Sequence, residues 1–167
     1  MTIKQTLKRI FLGLLIVIGI ISALVSIEII GGQPMGLFAG SRPADLGFNN
    51  RKFKPISRRP NNVSSQADKS DPLHYIEPIS FSGDSASAWK KIVNIVQAEP
   101  RVTVVNNSEN YLYAEFKSAL MGYIDDVEFA LDAKASVIHA RSASRLGEKD
   151  FSVNRKRIET IRAAFNK

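Results

Sequence analysis

Eighteen consecutive uncharged residues, Ile10 to Ile27 (IFLGLLIVIGIISALVSI), open this chain, and they restrict what it can become more than any other feature. At about 1.5 Å of rise per residue, a helix over 10–30 is about 31 Å long. That length matches a hydrocarbon core of about 30 Å. A buried core helix is one alternative, but a hydrophobic start this polarised does not suit the inside of a soluble fold. The pattern predicts a single transmembrane anchor at 10–30, behind a short cytoplasmic N-terminus at 1–9. Lys4, Lys8 and Arg9 precede the run, and no Lys or Arg follows until Arg42. The positive-inside bias then places the N-terminus in the cytoplasm and the rest of the chain outside it, on the cytoplasmic (inner) membrane. A cleaved signal peptide is the competing reading. Its apolar region would be about 7–15 residues and would end at a small-residue site. Ala23, Ser26 and Gly31-Gly32 supply small residues, but no A-x-A closes the run.

The net charge of +7 invites a nucleic-acid reading, and its distribution opposes one. Arg42, Arg51, Lys52, Lys54, Arg58 and Arg59 face only Asp45 between positions 42 and 59. From Pro60 to Lys167, 14 basic residues meet 14 acidic ones. The basicity thus lies in the tether of a neutral domain, where anionic headgroups are its natural partner. The lipid bilayer is the expected partner, with another membrane or envelope protein as a second, and no nucleic acid. Cysteine is absent, which excludes disulfides, thiolate metal sites and a cysteine nucleophile. With two histidines only, His74 and His139, a histidine-rich metal site is not expected, and the sequence calls for no cofactor.

Residues 31–71 lack a sustained period and read as a basic linker and irregular arm; Phe38, Leu46, Phe48 and Phe53 are spaced to lie on a domain surface. Residues 72–167 read as the domain. A short strand at Tyr75–Phe81 precedes a helix with Ser85 as its N-cap and Trp89, Ile92, Val93 and Val96 on one face. Pro100 ends it. Period 2 follows in Arg101–Asn106, Tyr111–Ser118, Ile124–Leu131 and Val137–Ala143. A last helix, Phe151–Phe165, turns Ile158, Ile161 and Phe165 inward, with Asn154 in the same stripe. The expected fold is α+β: an antiparallel sheet of about five strands, β-α-β-β-β-β-α, with two helices on one face and the other face open to solvent.

Several separated motifs carry a resemblance. They are LFAGSRPADLGF (Leu37–Phe48), Pro60-Asn61, Val63-Ser64-Ser65-Gln66-Ala67, Asp71-Pro72 and Ala88-Trp89. YIDDVEFALD (Tyr123–Asp132), IHARSASRLG (Ile138–Gly147), Asp150, Val153-Asn154-Arg155 and Arg157-Ile158 follow. Together they resemble the bacterial and plastid family known as domain of unknown function 1499, over about Leu37–Phe165. The resemblance implies no activity. It implies that the arm belongs with the domain and that a leading membrane segment is usual. Relatives commonly carry Cys-Pro-x-x-Pro-Asn-Cys where this chain has Ile56 and Asn62 at the cysteine positions. A thiol redox or metal role there cannot apply, and the loop must be held by packing and hydrogen bonds.

The polar candidates fall into three groups. Asn61, Asn62, Ser64, Ser65 and Gln66 crowd one loop, where amides and hydroxyls either line a polar site or make local turns. No G-x-S-x-G elbow marks a serine nucleophile. His74 beside Asp71 reads as a capping or surface histidine before a proton-transfer group. Strand alternation sets Asp126 and Glu128 on one side, with Asp125 opposite, and His139 and Arg141 on one side of the following strand. Glu115 extends the row and Arg145 lies just beyond. Cross-strand charge pairing is the simple account of these groups; a polar groove for an anionic or sugar-like ligand is the functional one. Ser142 and Ser144 fall on the opposite face as small packing residues. Asn154, Arg155 and Arg157 open the last helix, where Arg side chains suit anion binding or pairing with the acidic middle of the chain.

Two functions follow. The first is a membrane-tethered, extracytoplasmic accessory or binding module without catalysis. The second is an envelope- or lipid-related enzyme using a groove around His139, Glu128 and Arg141.

Overall fold

The structure, a computed structural model, describes residues 3–30 and 38–167. Two compact units emerge, Met1–Leu37 and Phe38–Lys167. The beginning of the predicted linker, 31–36, and Leu37 of the arm motif lie outside the described residues. The first unit is one helix, α1 (Ile3–Ile30). Its stretch Lys4–Ser22 is long and apolar enough to cross a membrane, and none of it is buried.

The second unit contains β1 (Asn62–Ser64), β2 (Ile79–Ser80), α2 (Ser85–Ala98), β3 (Val102–Asn107), β4 (Tyr111–Lys117), β5 (Ile124–Asp132), β6 (Val137–Ser144) and α3 (Val153–Phe165). Strands β3 to β6 form the antiparallel meander that the short turns predict. The sheet order is β1-β6-β5-β4-β3, and β2 pairs with the other half of the β6 edge. This is the expected α+β fold with six strands rather than five.

The apolar alternation builds one core. Leu112, Ala114 and Phe116 of β4, Val127 and Phe129 of β5, and Ile138 and Ala140 of β6 meet Trp89, Ile92 and Val96 of α2 and Ile158, Ile161 and Phe165 of α3. Both helices therefore cover the same sheet face. The indole Nε1–H of Trp89 donates to the Ser108 carbonyl at 2.9 Å, so the largest core ring leaves no polar atom stranded.

Four local expectations need correction. Asp84, not Ser85, caps α2: its carboxylate accepts from the Ser87 N–H at 2.7 Å, and Ser85 is the first helical residue. The predicted strand Tyr75–Phe81 shrinks to Ile79–Ser80, because Pro78 has no N–H to donate to a ladder. Helix α3 starts at Val153, since Phe151 and Ser152 both adopt left-handed φ (52° and 65°). Strand β1 stands where the sequence predicts a loop: two of its three residues are Asn and Ser, poor strand formers, and it exists because the edge of β6 is there to pair with.

The largest departure is the second sheet face, which is covered rather than open. Residues 38–55 lie across it, and Tyr113, Glu115, Asp126, Glu128 and Arg141 beneath are all buried. The spacing of aromatic residues in the arm anticipates this. Phe53 is buried, Phe48 packs on Phe53 and His139, and Phe38 packs on Tyr123 with ring centroids 5.1 Å apart. Gly40 shows how close the cover runs. A Cβ there would lie 2.9 Å from Arg145 Cβ, and its φ of +65° disfavours any other residue.

Replacing Trp89 by Ala should cost about 3–5 kcal/mol in urea-monitored unfolding, the usual range for truncating a buried Trp. A loss under about 1 kcal/mol would mean that this helix face is not the core face.

Candidate functional site

The polar face is built by strand register. In β5 and β6, Glu128 stands opposite Arg141. In β4 and β5, Tyr113 stands opposite Glu128 and Glu115 opposite Asp126. Side chains two apart on each strand share a face, so the register alone collects three carboxylates, two tyrosines and an arginine under the arm.

Their contacts form two neighbouring clusters. In the first, the Arg141 guanidinium donates to Glu128 Oε2 at 2.7 Å and to the Lys54 carbonyl at 3.1 Å. Glu128 Oε1 accepts from the Tyr111 hydroxyl at 2.8 Å and from the Gly47 N–H at 3.0 Å. In the second, Arg145 grips Asp126 through Nε and Nη2, and its Nη2 also reaches Glu115. The Tyr113 hydroxyl donates to Asp126 at 2.5 Å, and Arg42 of the arm reaches Glu115 at 2.6 Å.

The electrostatics follow from these partners. Burial opposes the Arg145 charge, yet Asp126 and Glu115 raise its pKa above the ordinary arginine value. Burial pushes Glu115 up, but hydrogen bonds from Arg42 and Arg145 outweigh it and hold the carboxyl below its usual value. Tyr111 and Tyr113 are both raised, first by burial and then by the carboxylates they bind, so both act as donors.

His139 lies at the margin of this face. Its Nδ1 is 3.1 Å from Ser65 Oγ, and its Nε2 is 4.0 Å from Asp132 Oδ2. The set looks like a Ser-His-Asp array, but the Ser65 hydroxyl is otherwise engaged. Its Oγ accepts the Ala140 N–H at 3.0 Å while its own N–H donates to the Ala140 carbonyl. Ser65 thus completes the β6 edge between β1 and β2, and its hydroxyl proton is left to reach Nδ1. Asp132 in turn is bound by Arg51 of the arm. Burial lowers the His139 pKa, with Asp132 opposing it only in part.

The model of the family described as "Protein of unknown function (DUF1499)" matches residues 52–165. The chain belongs to that family. A comparison with curated proteins gives no match. The matched span in this DUF1499 chain holds β1 to β6, α2 and α3, and begins inside the arm.

The other predicted residues are brought together in part. Asn61 donates to the Gly147 carbonyl at 2.7 Å, and Ser64 Oγ accepts from the Gln66 N–H. Gln66 clamps the arm, accepting from the Phe53 N–H and donating to the Arg51 carbonyl. Asn62 Nδ2 donates to the Ser57 carbonyl and hydroxyl and to the Arg59 carbonyl, so hydrogen bonds hold this loop in the absence of cysteine. His74 is buried rather than on the surface, between Asp71 at 2.7 Å and the Arg59 carbonyl at 3.1 Å. Under α3, Ser142 is more than a packing residue: it hydrogen-bonds Asn154, and Arg157 joins them and Asp125. Arg155 caps the carbonyls of Pro72, Leu73 and Tyr75. Asn154 and Arg155 therefore stand on the helix side, away from the ladder.

Sequence reasoning missed Tyr111, Tyr113, Arg42 and Gly47 as members of the site. Alternation already placed both tyrosines on the polar face. Nothing in the sequence announced that the arm would return its Gly47 N–H to Glu128. One cleft, about 240 Å³, reaches Asp126, Arg141 and Arg145 between Ser41, Pro43 and Ser57.

Removing one partner of the buried pair, as Arg141→Ala or Glu128→Leu, should cost about 3–5 kcal/mol, because the other charge is left uncompensated. The double variant Arg141→Ala/Glu128→Leu should lose less than the sum of the two single variants in a denaturation cycle. Additive losses would mean the two groups are not coupled.

Stability should fall in two steps on acidification. The folded pKa of His139 is lowered, so the unfolded chain takes up its proton first and stability declines below about pH 6.5. The folded pKa of Glu115 is also lowered, so its contribution is full above about pH 4.3 and is lost as pH falls through the folded value. In urea midpoints measured against pH, His139→Gln should remove the upper step alone.

Proposed function

We propose that this DUF1499 chain is a membrane-tethered accessory or binding module, without catalysis, whose domain stands outside the cytoplasm. The observation that carries the non-catalytic reading is the state of Glu128. Its side chain has no exposure, and its two oxygens are engaged by Arg141, Tyr111 and Gly47. A general base needs a free lone pair within reach of substrate. Arg141 is likewise committed to Glu128 and Lys54, and Ser65 to the β6 edge. The enzyme reading would require the arm to leave the sheet and expose several buried charges at once. Its cost makes the ladder a fastening for the arm rather than a reaction centre.

Tethering is supported by α1, which is apolar on all sides beyond Arg9: Phe11, Leu12, Ile20 and Ile21 point in four different directions around the helix and each is more than half exposed. Orientation is supported by Lys4, Lys8 and Arg9 ahead of the run. The basic arm contributes less to lipid attraction than its charge suggests. Arg42, Arg51, Lys54 and Arg59 pair with Glu115, Asp132, Asp45 and Glu148.

Reporter fusions after Lys167 test the reading. A periplasm-active reporter should be active and a cytoplasm-active one silent, with the intact chain in the membrane fraction. The reverse reporter pattern overturns the orientation, and a shortened soluble product overturns the anchor in favour of a signal peptide.

A further inference from the structure

Exposed apolar side chains in the second unit are concentrated at one end. Among the described residues outside α1, seven large hydrophobic side chains are exposed, and six of them lie in two neighbouring connections and the first residue of the helix that follows. Leu120, Met121 and Tyr123 belong to the β4–β5 turn; Leu146 and Phe151 belong to the segment joining β6 to α3, and Val153 is the first residue of α3. The two connections are adjacent: the Arg145 N–H donates to the Ile124 carbonyl, and Tyr123, Leu146, Phe151 and Val153 line one groove of about 300 Å³. A monomeric surface scatters such residues singly; a grouped patch marks something that covers it.

Phe151 is the extreme case at 85% exposed. It is held outward rather than loosely placed. Its φ is +52°, that of Ser152 is +65°, and Asp150 fixes the turn by accepting the N–H groups of Ser152 and Asn154. A bulky residue in the left-handed region is disfavoured, so the turn holds Phe151 in a backbone conformation that it would not adopt unaided.

Two observations name the occupant. The patch surrounds the place where the chain enters this unit: Phe38 stacks near Tyr123, and Gly40 abuts Leu146. Only residues 31–37 separate Phe38 from Ile30, the last residue of α1, and eight extended residues span at most about 28 Å. The anchor therefore limits how far this end can stand from a bilayer. The rim also has the right charge. Lys149 lines the groove and Lys117 lies at the end of β4, while the acidic neighbours are occupied: Asp125 by Arg157, Glu148 by Arg59 and Asp150 by the turn. Apolar and aromatic side chains rimmed by lysine suit the interfacial zone of an anionic membrane.

We infer that the Leu120–Tyr123 turn and the Leu146–Val153 segment form a membrane-docking surface that seats this end of the domain in the headgroup region of the bilayer that holds α1. The inference rests on the tethering reading above. Docking would set the β3–β4 and β5–β6 turns, at the opposite end of the sheet, toward solvent.

The chain has no cysteine, so a single introduced one accepts a nitroxide uniquely. Full-length Phe151→Cys, Leu120→Cys and, as reference in the β3–β4 turn, Glu109→Cys would be reconstituted in vesicles of phosphatidylethanolamine and phosphatidylglycerol. The power-saturation ratio of oxygen to nickel-chelate collisions should be severalfold higher at Phe151 and Leu120 than at Glu109. Adding Lys117→Glu/Lys149→Glu to the Leu120→Cys chain should lower its ratio toward the reference. Equal ratios at all three sites, with the chain still in the vesicles after alkaline carbonate, overturn the docking alone. Loss of the chain on the carbonate wash overturns the tether itself. Dipolar broadening at Phe151 that disappears on dilution with unlabelled chain would assign the patch to a second copy and overturn the membrane as its occupant.

Discussion

A buried carboxylate with no exposure must be neutralised where it stands, and Glu128 sets that requirement for this domain. Strand register supplies Arg141 directly opposite, on Oε2, and Tyr111 two places from the Tyr113 partner position, on Oε1, where a second lone pair is still open to a donor. The remaining donor comes from the Gly47 N–H, more than eighty positions away in sequence. Once Gly47 is fixed, the arm cannot be a free tether. Its flanks then find their own partners, Arg42 on Glu115 and Arg51 on Asp132.

Buried ion pairs contribute little net stability against well-packed apolar residues, so stability alone does not account for a ladder of this size. Specificity does. An apolar second face would accept an arm in many registers. Here the arm must present a backbone N–H at Gly47 and a carbonyl at Lys54 to two particular side chains. The same logic applies on the helix side. Asn154 joins the Asn61 carbonyl, Ser144 and Asp150 in one buried network, which ties α3 to the start of β1. Both faces of the β6 end of the sheet are thus located by polar groups, and the apolar core between β4, β5 and the helices needs only to be filled.

The core was legible because period tells directly on burial. Trp89, Ile92 and Val96 at helical spacing, and Phe116 and Phe129 in alternation, sit where their spacing puts them. The charge ladder was legible for the same reason: Glu128, Arg141, Asp126 and Glu115 share a face by parity alone. The cover was not. An arm of Gly, Pro and basic residues has no period, and its placement depends on contacts with partners some seventy to ninety positions away. Strand β1 and the role of Ser65 share that cause. Their structure is imposed by the unpaired edge of β6, which the local sequence does not encode.

Asn62 illustrates what a tertiary solution costs locally. The loop holds no cysteine, and an amide closes it. Its Nδ2 faces Ser57, Arg59 and Asn61, more acceptors than two protons can serve well. Its Oδ1 is buried and has no partner among the described residues. An unsatisfied buried acceptor costs about 1–3 kcal/mol, comparable to what the donor side returns. The amide therefore specifies the path of the loop more than it stabilises it. The strength must come from neighbours: the Asn61 carbonyl, bonded by both Ser144 and Asn154, and the Arg59 carbonyl, held by His74. Several weak contacts shared among β6, α3 and the His74 turn stand in place of a covalent closure, so the loop in this chain holds only as long as those three elements stay packed together.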